Sequence, residues 1–223
     1  MRRAAPAAAF ILLLVASAAA AQAPAAAPAS GSWQIDGGII WSGGVDLGTR
    51  AAELTRNPDV GGDPLQLFST ENRIGSLAGV GARVGVYVAP RVSIEGGLQF
   101  SRPEVRTRVT DDFEGATDLT ATERLTQYLI DASAVYHFGS GRTRPYALGG
   151  AGYLRQLHSG DHIVEDGPEF HAGGGVQYWF AGVRNRLGVR FEARVSFQRG
   201  GFDFGENKMR TIPQASAGLA YMF

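Results

Sequence analysis

One short polar segment holds the side chains that catalysis or metal binding would need. Its candidate residues are His158, Ser159, Asp161, His162 and Glu165. Histidine, serine and a carboxylate are the groups of a nucleophilic triad, and histidine with carboxylates is a common set of metal ligands. The same residue types are also ordinary in a solvated loop, and no sharper spacing accompanies them. We therefore expect no catalytic residue, no metal and no cofactor in this segment.

The composition excludes several other kinds of chemistry. The 223-residue chain has no cysteine, which rules out a thiol nucleophile, a thiolate metal site and a disulfide framework. It has 21 basic and 21 acidic residues, so it lacks the basic excess expected of a protein that binds nucleic acid. Its 31 glycines are scattered through apolar segments instead of being gathered in linkers. Such usage is typical of strands that bend around a small barrel.

The first 21 residues are predicted to be a cleavable export signal. Arg2 and Arg3 precede an apolar core, and Ala19-Ala20-Ala21 offers a small-residue cleavage site. The apolar core is shorter than the roughly 20 residues that a membrane-spanning helix needs. The next residues, 22–31, are rich in proline and alanine and are predicted to form a disordered lead-in.

From residue 32 onward, apolar and polar residues alternate over segments long enough to cross a membrane as strands. We predict eight strands, the first beginning at Trp33 and the others covering 77–88, 92–107, 119–138, 145–157, 170–180, 187–198 and 210–223. The connections after odd-numbered strands are long and polar (49–76, 111–118, 158–168 and 199–209), whereas the others are short. Outer-membrane barrels have short periplasmic turns and longer extracellular loops. The pattern predicts an all-β fold over 32–223, a closed antiparallel up-and-down eight-stranded transmembrane β-barrel.

Alternation alone does not say whether the apolar face meets lipid or a core, because a soluble exported barrel has the inverse arrangement. Aromatic residues cluster at the predicted periplasmic strand ends, as an interfacial girdle requires. They are Tyr136, Phe138, Tyr178, Phe180, Tyr221 and Phe223. The polar face carries large charges of both signs in mid-strand, where they would pair inside a narrow lumen. We therefore predict that the apolar face meets lipid.

Six mid-strand charges are predicted to form a network in the lumen: Arg83, Glu95, Asp131, Arg190, Glu192 and Arg194. Burial requires such charges to be paired and hydrogen-bonded. Eight strands enclose a lumen only wide enough for side chains. A plugged barrel is therefore predicted, with a narrow channel for small solutes as the alternative.

Two predicted turns fix the neighbours of these charges. A turn centred near Pro90 makes Arg83 and Glu95 diagonal neighbours on one face. A turn centred between residues 183 and 184 predicts three cross-strand pairs on the lumen side: Arg190 with Gln177, Glu192 with Gly175, and Arg194 with Gly173. The glycines would leave room for the long charged side chains.

The last strand carries the pattern of a C-terminal assembly signal, with Ser216, Gly218, Tyr221 and Phe223 at its defined positions. Together with Arg144-Pro145-Tyr146, the glycine-rich segment 148–153 and residues 170–175, it resembles the small eight-stranded outer-membrane barrel family. That family includes the transmembrane domain of OmpA and the OmpX-like and OmpW-like proteins. The resemblance implies a protein of the bacterial outer membrane, inserted by the barrel-assembly machinery among outer-membrane lipids and lipopolysaccharide.

The resemblance leaves three functions open. The first is a structural, envelope-integrity or loop-mediated adhesion role, for which loop aromatics are candidate contacts to an extracellular partner: Phe68, Phe113, Phe202 and Phe204. The second is the narrow channel. The third is lipid A modification, known from some barrels of this size. A deacylase would need a His-x-Ser pair, but His137 is followed by Ser140 and His171 has no serine near it in the sequence. We therefore expect no enzymatic activity.

Overall fold

The computed structural model describes residues 28–54, 65–114, 116–158, 164–181, 186–199 and 209–223. The predicted export signal and residues 22–27 of the predicted lead-in lie outside the described residues. So do five of the candidate residues named above: Ser159, Asp161, His162 and the two loop aromatics Phe202 and Phe204. Within the described part of the chain, no helix is long and apolar enough to cross a membrane.

The described residues form eleven strands, because apolar and polar residues alternate with a period of two over long stretches. In chain order they are β1 (Trp33–Ser42), β2 (Val45–Leu54), β3 (Leu65–Ile74), β4 (Leu77–Ala89), β5 (Val92–Ser101), β6 (Glu104–Thr110), β7 (Leu119–His137), β8 (Thr143–His158), β9 (Val164–Trp179), β10 (Leu187–Gln198) and β11 (Arg210–Met222). Eight of them form a ring in the order β1, β4, β5, β7, β8, β9, β10, β11. Every neighbouring pair in the ring is antiparallel, which confirms the predicted barrel.

The ring is closed by its first and last strands. β1 pairs with β11 from Gln34 opposite Met222 to Ser42 opposite Gln214. The backbone N–H of Phe223 donates to the carbonyl of Trp33 at 2.9 Å. Because both edges of the sheet are paired with each other, the ring leaves no unpaired strand edge toward lipid.

Three strands lie outside the ring and correct two predictions. Residues 49–76 were predicted to be a loop, but they contain most of β2 and all of β3. The predicted third strand, 92–107, is divided into β5 and β6 at Arg102-Pro103, because proline cannot donate to a strand ladder. β2, β3, β6 and the first residues of β7 form an antiparallel sheet, called the extension here, that continues the barrel wall on the side of the long loops.

Exposure of the side chains shows which face of the wall is apolar. Outward-pointing residues are large and hydrophobic: Ile39 is 66% exposed and Ile130 is 63% exposed. Inward-pointing residues are polar, and Glu169 and Gln177 are both fully buried. This arrangement is the inverse of a soluble barrel and confirms that the apolar face points outward.

The lumen also holds apolar side chains, which the alternation in the sequence hides. Val135, Tyr146 and Leu148 form one buried cluster between β7 and β8. At the base of the extension, Ile74, Val105 and Leu125 form another, with Val45 and Leu47 packed against it. Along β8, the inward residues Leu148 and Leu154 are buried, whereas the outward positions between them hold the small residues Gly149 and Ala151 and the exposed Tyr153. This inversion explains why the predicted fifth strand has apolar residues on both faces.

Candidate functional site in the barrel lumen

Arg190 is the centre of the largest cluster of charges in the lumen. Its guanidinium forms ion pairs with Asp36 at 3.1 Å, Glu95 at 2.8 Å and Glu192 at 2.9 Å. Its Nε also donates to the hydroxyl of Tyr146 at 2.8 Å, and its Cζ lies 4.6 Å from the centroid of that ring. These partners come from four strands, β1, β5, β8 and β10. A buried guanidinium with three carboxylates is thereby compensated, as burial requires.

Arg83 joins the same cluster from β4. Its two terminal nitrogens donate to the two carboxylate oxygens of Glu192 at 2.6 and 2.8 Å, a bidentate pair. The predicted β4–β5 register is confirmed: Arg83 lies opposite Gly97 and Gly85 lies opposite Glu95, which makes Arg83 and Glu95 diagonal neighbours. Their ion pairs nevertheless run across the lumen to β10: Arg83 pairs with Glu192, and Glu95 pairs with Arg190.

A second cluster lies further along β10 and is centred on Asp131 of β7. Arg194 forms an ion pair with Asp131 at 3.3 Å, and its Nε donates to Gln214 of β11 at 2.6 Å. The amide of Gln99 on β5 donates to the same carboxylate at 2.8 Å. The three cross-strand pairs predicted for β9 and β10 are confirmed, so Arg194 lies opposite Gly173. The structure therefore places all six predicted charges in two connected groups inside the barrel.

A serine, a histidine and a glutamate form a third group, which the sequence did not indicate. Ser133 Oγ and His171 Nε2 are 2.8 Å apart, and His171 Nδ1 lies 2.9 Å from Oε2 of Glu169. In the neutral tautomer that carries its hydrogen on Nδ1, the ring donates to Glu169 and accepts from the serine hydroxyl at Nε2. The sequence has no serine near His171, and β7 brings Ser133 beside it from a distant part of the chain. All three side chains are at least 95% buried, so the triad lies inside the wall and not on a surface that a lipid touches.

Aromatic and amide side chains fill the periplasmic end of the lumen. The hydroxyl of Tyr87 donates to Gln34 at 3.2 Å, and Gln34 in turn donates to Asp36 of the Arg190 cluster. The rings of Tyr87 and His137 lie 5.1 Å apart, and His137 Nε2 is 3.1 Å from the hydroxyl of Ser93. Tyr87 and His137 are each about 99% buried. The hydrogen-bonded groups therefore extend from the periplasmic rim to the centre of the barrel.

Glycines on the lumen side of the wall make this filling possible. A β-carbon at Gly175 would lie 2.5 Å from the hydroxyl oxygen of Tyr146, and one at Gly150 would lie 2.6 Å from Nε2 of His171. At each position the β-carbon would also meet a backbone carbonyl of the neighbouring strand, that of Phe191 or of Ala132, so any larger residue would displace backbone as well as a hydrogen-bonded side chain. These glycines are thus required for space and not for a special backbone angle.

The space that remains in and beside the lumen is small. A cavity of about 40 Å³ lies against Arg83 and Arg190, and two further cavities of about 10 Å³ each adjoin Ile40. A water molecule needs about 10–15 Å³ measured in this way. The cavities described therefore hold from one to a few waters each, which is the filling expected of a plugged barrel.

Several residues of the lumen groups were absent from the predicted network: Asp36, Gln99, Ser133, Tyr146, Glu169, His171 and Gln214. All of them except Tyr146, which shares its face with Leu148, lie on the polar face of their strand, so the alternation could have indicated them individually. Their partners could not be found in this way, because the ion pairs join strands that are distant in the sequence. Among the described residues, no group of three or more histidine, cysteine, aspartate or glutamate residues is placed to hold a metal ion.

A closed antiparallel ring with an apolar outside and a charged inside defines a class, the transmembrane β-barrels of bacterial outer membranes. The family model described as the outer membrane protein beta-barrel domain matches residues 10–223. The chain belongs to this family.

Solved structures include similar barrels. Outer membrane protein OprG from Pseudomonas aeruginosa is 12% identical, with a TM-score of 0.57 over 87% of this chain and 97% of that one. Neisserial surface protein A is 15% identical, with a TM-score of 0.45 over 87% of this chain and all of that one. The attachment invasion locus protein Ail of Yersinia pestis is 14% identical, with a TM-score of 0.44 over 87% of this chain and 99% of that one. No curated protein matches the sequence.

Proposed function

We propose that this protein is a plugged outer-membrane barrel that presents its extension to an extracellular partner. The proposal rests on the division of the chain into two parts. One is the ring, whose lumen is filled by side chains, and the other is the extension, which lies outside the membrane-spanning ring. A filled lumen favours a structural or interaction role over transport. The extension then supplies the surface on which an interaction can occur.

The far end of the extension carries exposed hydrophobic side chains. Leu54 ends β2, Leu119 begins β7 opposite Val109, and the backbone of Phe113 donates to the carbonyl of Leu67 at 2.8 Å. The three side chains are between 52% and 66% exposed. Large exposed apolar groups on a water-facing sheet favour protein interaction sites. Phe68 is half-buried in β3 and contributes less to this surface.

The route to the membrane is part of the proposal. Residues 1–21 would direct export and be removed, and the barrel-assembly machinery would recognise Ser216, Gly218, Tyr221 and Phe223. In support, Tyr221 and Phe223 lie on the outward face with their ring centroids 4.9 Å apart. An accessible aromatic pair at the end of the closing strand is a surface that an assembly factor can bind.

Adhesion of bacteria that display the protein tests the proposed role. Cells displaying the wild type, or the variant Leu54→Ser/Phe113→Ser/Leu119→Ser, would be scored for binding to immobilised host-matrix proteins, host glycans and a second bacterial population. We expect the wild type to adhere to at least one of these surfaces and the variant to lose most of that adhesion. The matched control is Thr120→Ala/Thr122→Ala, which changes exposed residues of the same sheet.

Surface display of each variant would be equalised by heat-modifiable gel migration and protease shaving of intact cells. If wild-type cells bind no surface better than cells without the protein, the interaction role is wrong. If the wild type and the triple variant adhere equally well, the partner does not bind at the far end of the extension.

A further inference from the structure

An aromatic pair on the outer face of the barrel marks the extracellular edge of its apolar band. The rings of Phe100 on β5 and Tyr128 on β7 lie 5.3 Å apart, and the two residues pair across the strands. Phe138, just after β7, belongs to the periplasmic girdle and is 59% exposed. At about 3.3 Å per residue and a tilt near 40°, Tyr128 lies about 25 Å from Phe138 along the membrane normal, which is the height of the apolar band. Phe100 and Tyr128 therefore lie where acyl chains meet headgroups.

Three exposed arginines surround this pair. Cζ of Arg102 lies 5.5 Å from the centroid of the Phe100 ring. Arg155 lies directly opposite Tyr128 in the β7–β8 register. Arg124 is on the same face of β7, about 10 Å further along the membrane normal. The three guanidinium groups thus cover the zone just outside the apolar band.

The charge of this flank is positive. Arg124 contacts Glu104 at 3.2 Å, and Arg106, the next arginine outward, lies 3.9 Å from the same carboxylate. Asp166 lies opposite Arg155 in the β8–β9 register. These four arginines face two carboxylates. On the flank formed by β1, β4 and β11, the outward residues at the same edge are uncharged: Trp41, Ala78 and Pro213.

The lipid-facing wall below the pair is shallow. Gly96, Ala132 and Ala151 lie side by side in the registers of β5, β7 and β8. A β-carbon at Gly96 would have no neighbour within 4 Å. Small side chains at these three positions leave a lane that crosses β5, β7 and β8 and lets an acyl chain lie close to the backbone. The next outward row, Leu98, Ile130 and Tyr153, lies between this lane and the arginines at the edge of the band.

We propose that Arg102, Arg124 and Arg155 bind the phosphate of a lipid A headgroup in the outer leaflet. Guanidinium groups form paired, charge-assisted hydrogen bonds with phosphate and are weakly hydrated, which suits the membrane interface. The headgroup would lie against the arginines and an acyl chain along the lane. This site goes beyond the proposed function, because it requires no extracellular partner.

Native mass spectrometry of the refolded chain in detergent micelles tests the site. The probes are bisphosphorylated lipid A, the same lipid after phosphatase treatment, and inorganic phosphate. For Arg102→Gln/Arg124→Gln/Arg155→Gln we expect affinity for bisphosphorylated lipid A to fall at least tenfold. The matched control, Arg91→Gln/Arg142→Gln/Arg186→Gln, removes three exposed arginines near the periplasmic turns and should bind as the wild type does.

The phosphatase-treated lipid should bind the wild type as weakly as the intact lipid binds the triple variant. Equal binding of both lipids, or no effect of the triple variant, would overturn the proposal. Tight binding of inorganic phosphate in the absence of lipid would overturn the assignment to a lipid. The altered side chains all point outward, and heat-modifiable migration would verify folding. If the triple variant does not fold, Arg155→Gln alone should lower affinity about threefold, and an unchanged affinity would count against the site.

Discussion

Arg190 and Glu95 form an ion pair across the barrel, with Nη1 of the arginine 2.8 Å from Oε2 of the glutamate. Their strands, β10 and β5, stand four places apart in the ring of eight and so lie on opposite sides of it. The lumen at this level is therefore no wider than two side chains that meet. The pair is also one contact of a larger group, since Arg190 binds two further carboxylates and Tyr146.

Replacement of Arg190 by methionine is expected to destabilise the barrel by about 3–5 kcal/mol, because it leaves buried carboxylates without their partner. Equilibrium unfolding by urea in lipid bilayers, followed by tryptophan fluorescence, measures the loss. The control is Arg106→Met, which removes an exposed contact of 3.9 Å and should cost at most about 1 kcal/mol. Equal losses for the two variants would show that the lumen charges are not a stabilising group.

Planar-bilayer recordings of the refolded protein should show no stable large conductance. The reason is that the Arg190 and Asp131 clusters fill the lumen, and the cavity beside Arg83 and Arg190 measures only about 40 Å³. Heat-modifiable migration of the same preparation would verify that the inserted protein is folded. A steady large single-channel conductance would instead support the narrow-channel alternative and contradict the plug.

A charged residue placed on the outer face of the barrel tests whether that face meets lipid. Val84 lies near the middle of β4, points outward and pairs with Ile35 and Gly96. Val84→Arg should cost about 2–4 kcal/mol, the range expected for arginine at the bilayer midplane. Ala121→Arg, at an exposed position of the extension opposite Thr107, should be close to neutral. A neutral Val84→Arg would mean that this face does not meet lipid.

A methyl group added to the lumen is expected to cost more than one added to the outside. Gly175→Ala would place a β-carbon against the carbonyl oxygen of Phe191 and 2.5 Å from the Tyr146 hydroxyl oxygen, whereas Gly96→Ala meets nothing within 4 Å. Overpacking of this kind costs about 1–3 kcal/mol. The difference between the two urea midpoints measures the effect. If Gly96→Ala is as destabilising as Gly175→Ala, packing of the lumen is not the cause.

Ser133 should not react as a serine hydrolase nucleophile, although His171 and Glu169 are placed as a triad would place them. The serine is 95% buried among lumen side chains, so a carbonyl substrate cannot reach Oγ. A fluorophosphonate probe should label the folded wild type no more than Ser133→Ala. Specific labelling that Ser133→Ala abolishes would restore the enzymatic alternative.

The barrel itself could be predicted because the alternation of apolar and polar residues within a single strand shows which side chains share a face. In β10, alternation places Arg190, Glu192 and Arg194 on one face and Phe191 and Val195 on the other, whatever the neighbouring strands are. Short turns then fixed the registers of adjacent strands, as in the pairing of Arg194 with Gly173. The extension could not be predicted in the same way. β2, β3 and β6 are polar on their exposed face and only partly apolar on the other, so they resemble loops.

The ion-pair partners of the lumen charges could not be predicted from the sequence either. Arg83 and Glu95 are close in the chain and diagonal in the sheet, yet each has its ion pair with β10. Likewise, nothing near His171 in the chain indicates Ser133. Contacts between non-adjacent strands depend on the closure of the ring and on side-chain length, and neither is a periodic property of the sequence.

The Arg190 cluster has a consequence for how the barrel comes apart. Its side chains belong to β1, β4, β5, β8 and β10, five of the eight strands of the ring. In lipid, apolar surfaces gain little by contacting one another, so hydrophobic burial cannot link distant strands as it does in a water-soluble protein. In this barrel, the ion pairs and hydrogen bonds of the lumen link strands that are not neighbours in the sheet. Strand β10 cannot leave the ring without leaving the charges of β1, β4 and β5 unpaired, so we expect these four strands to separate together.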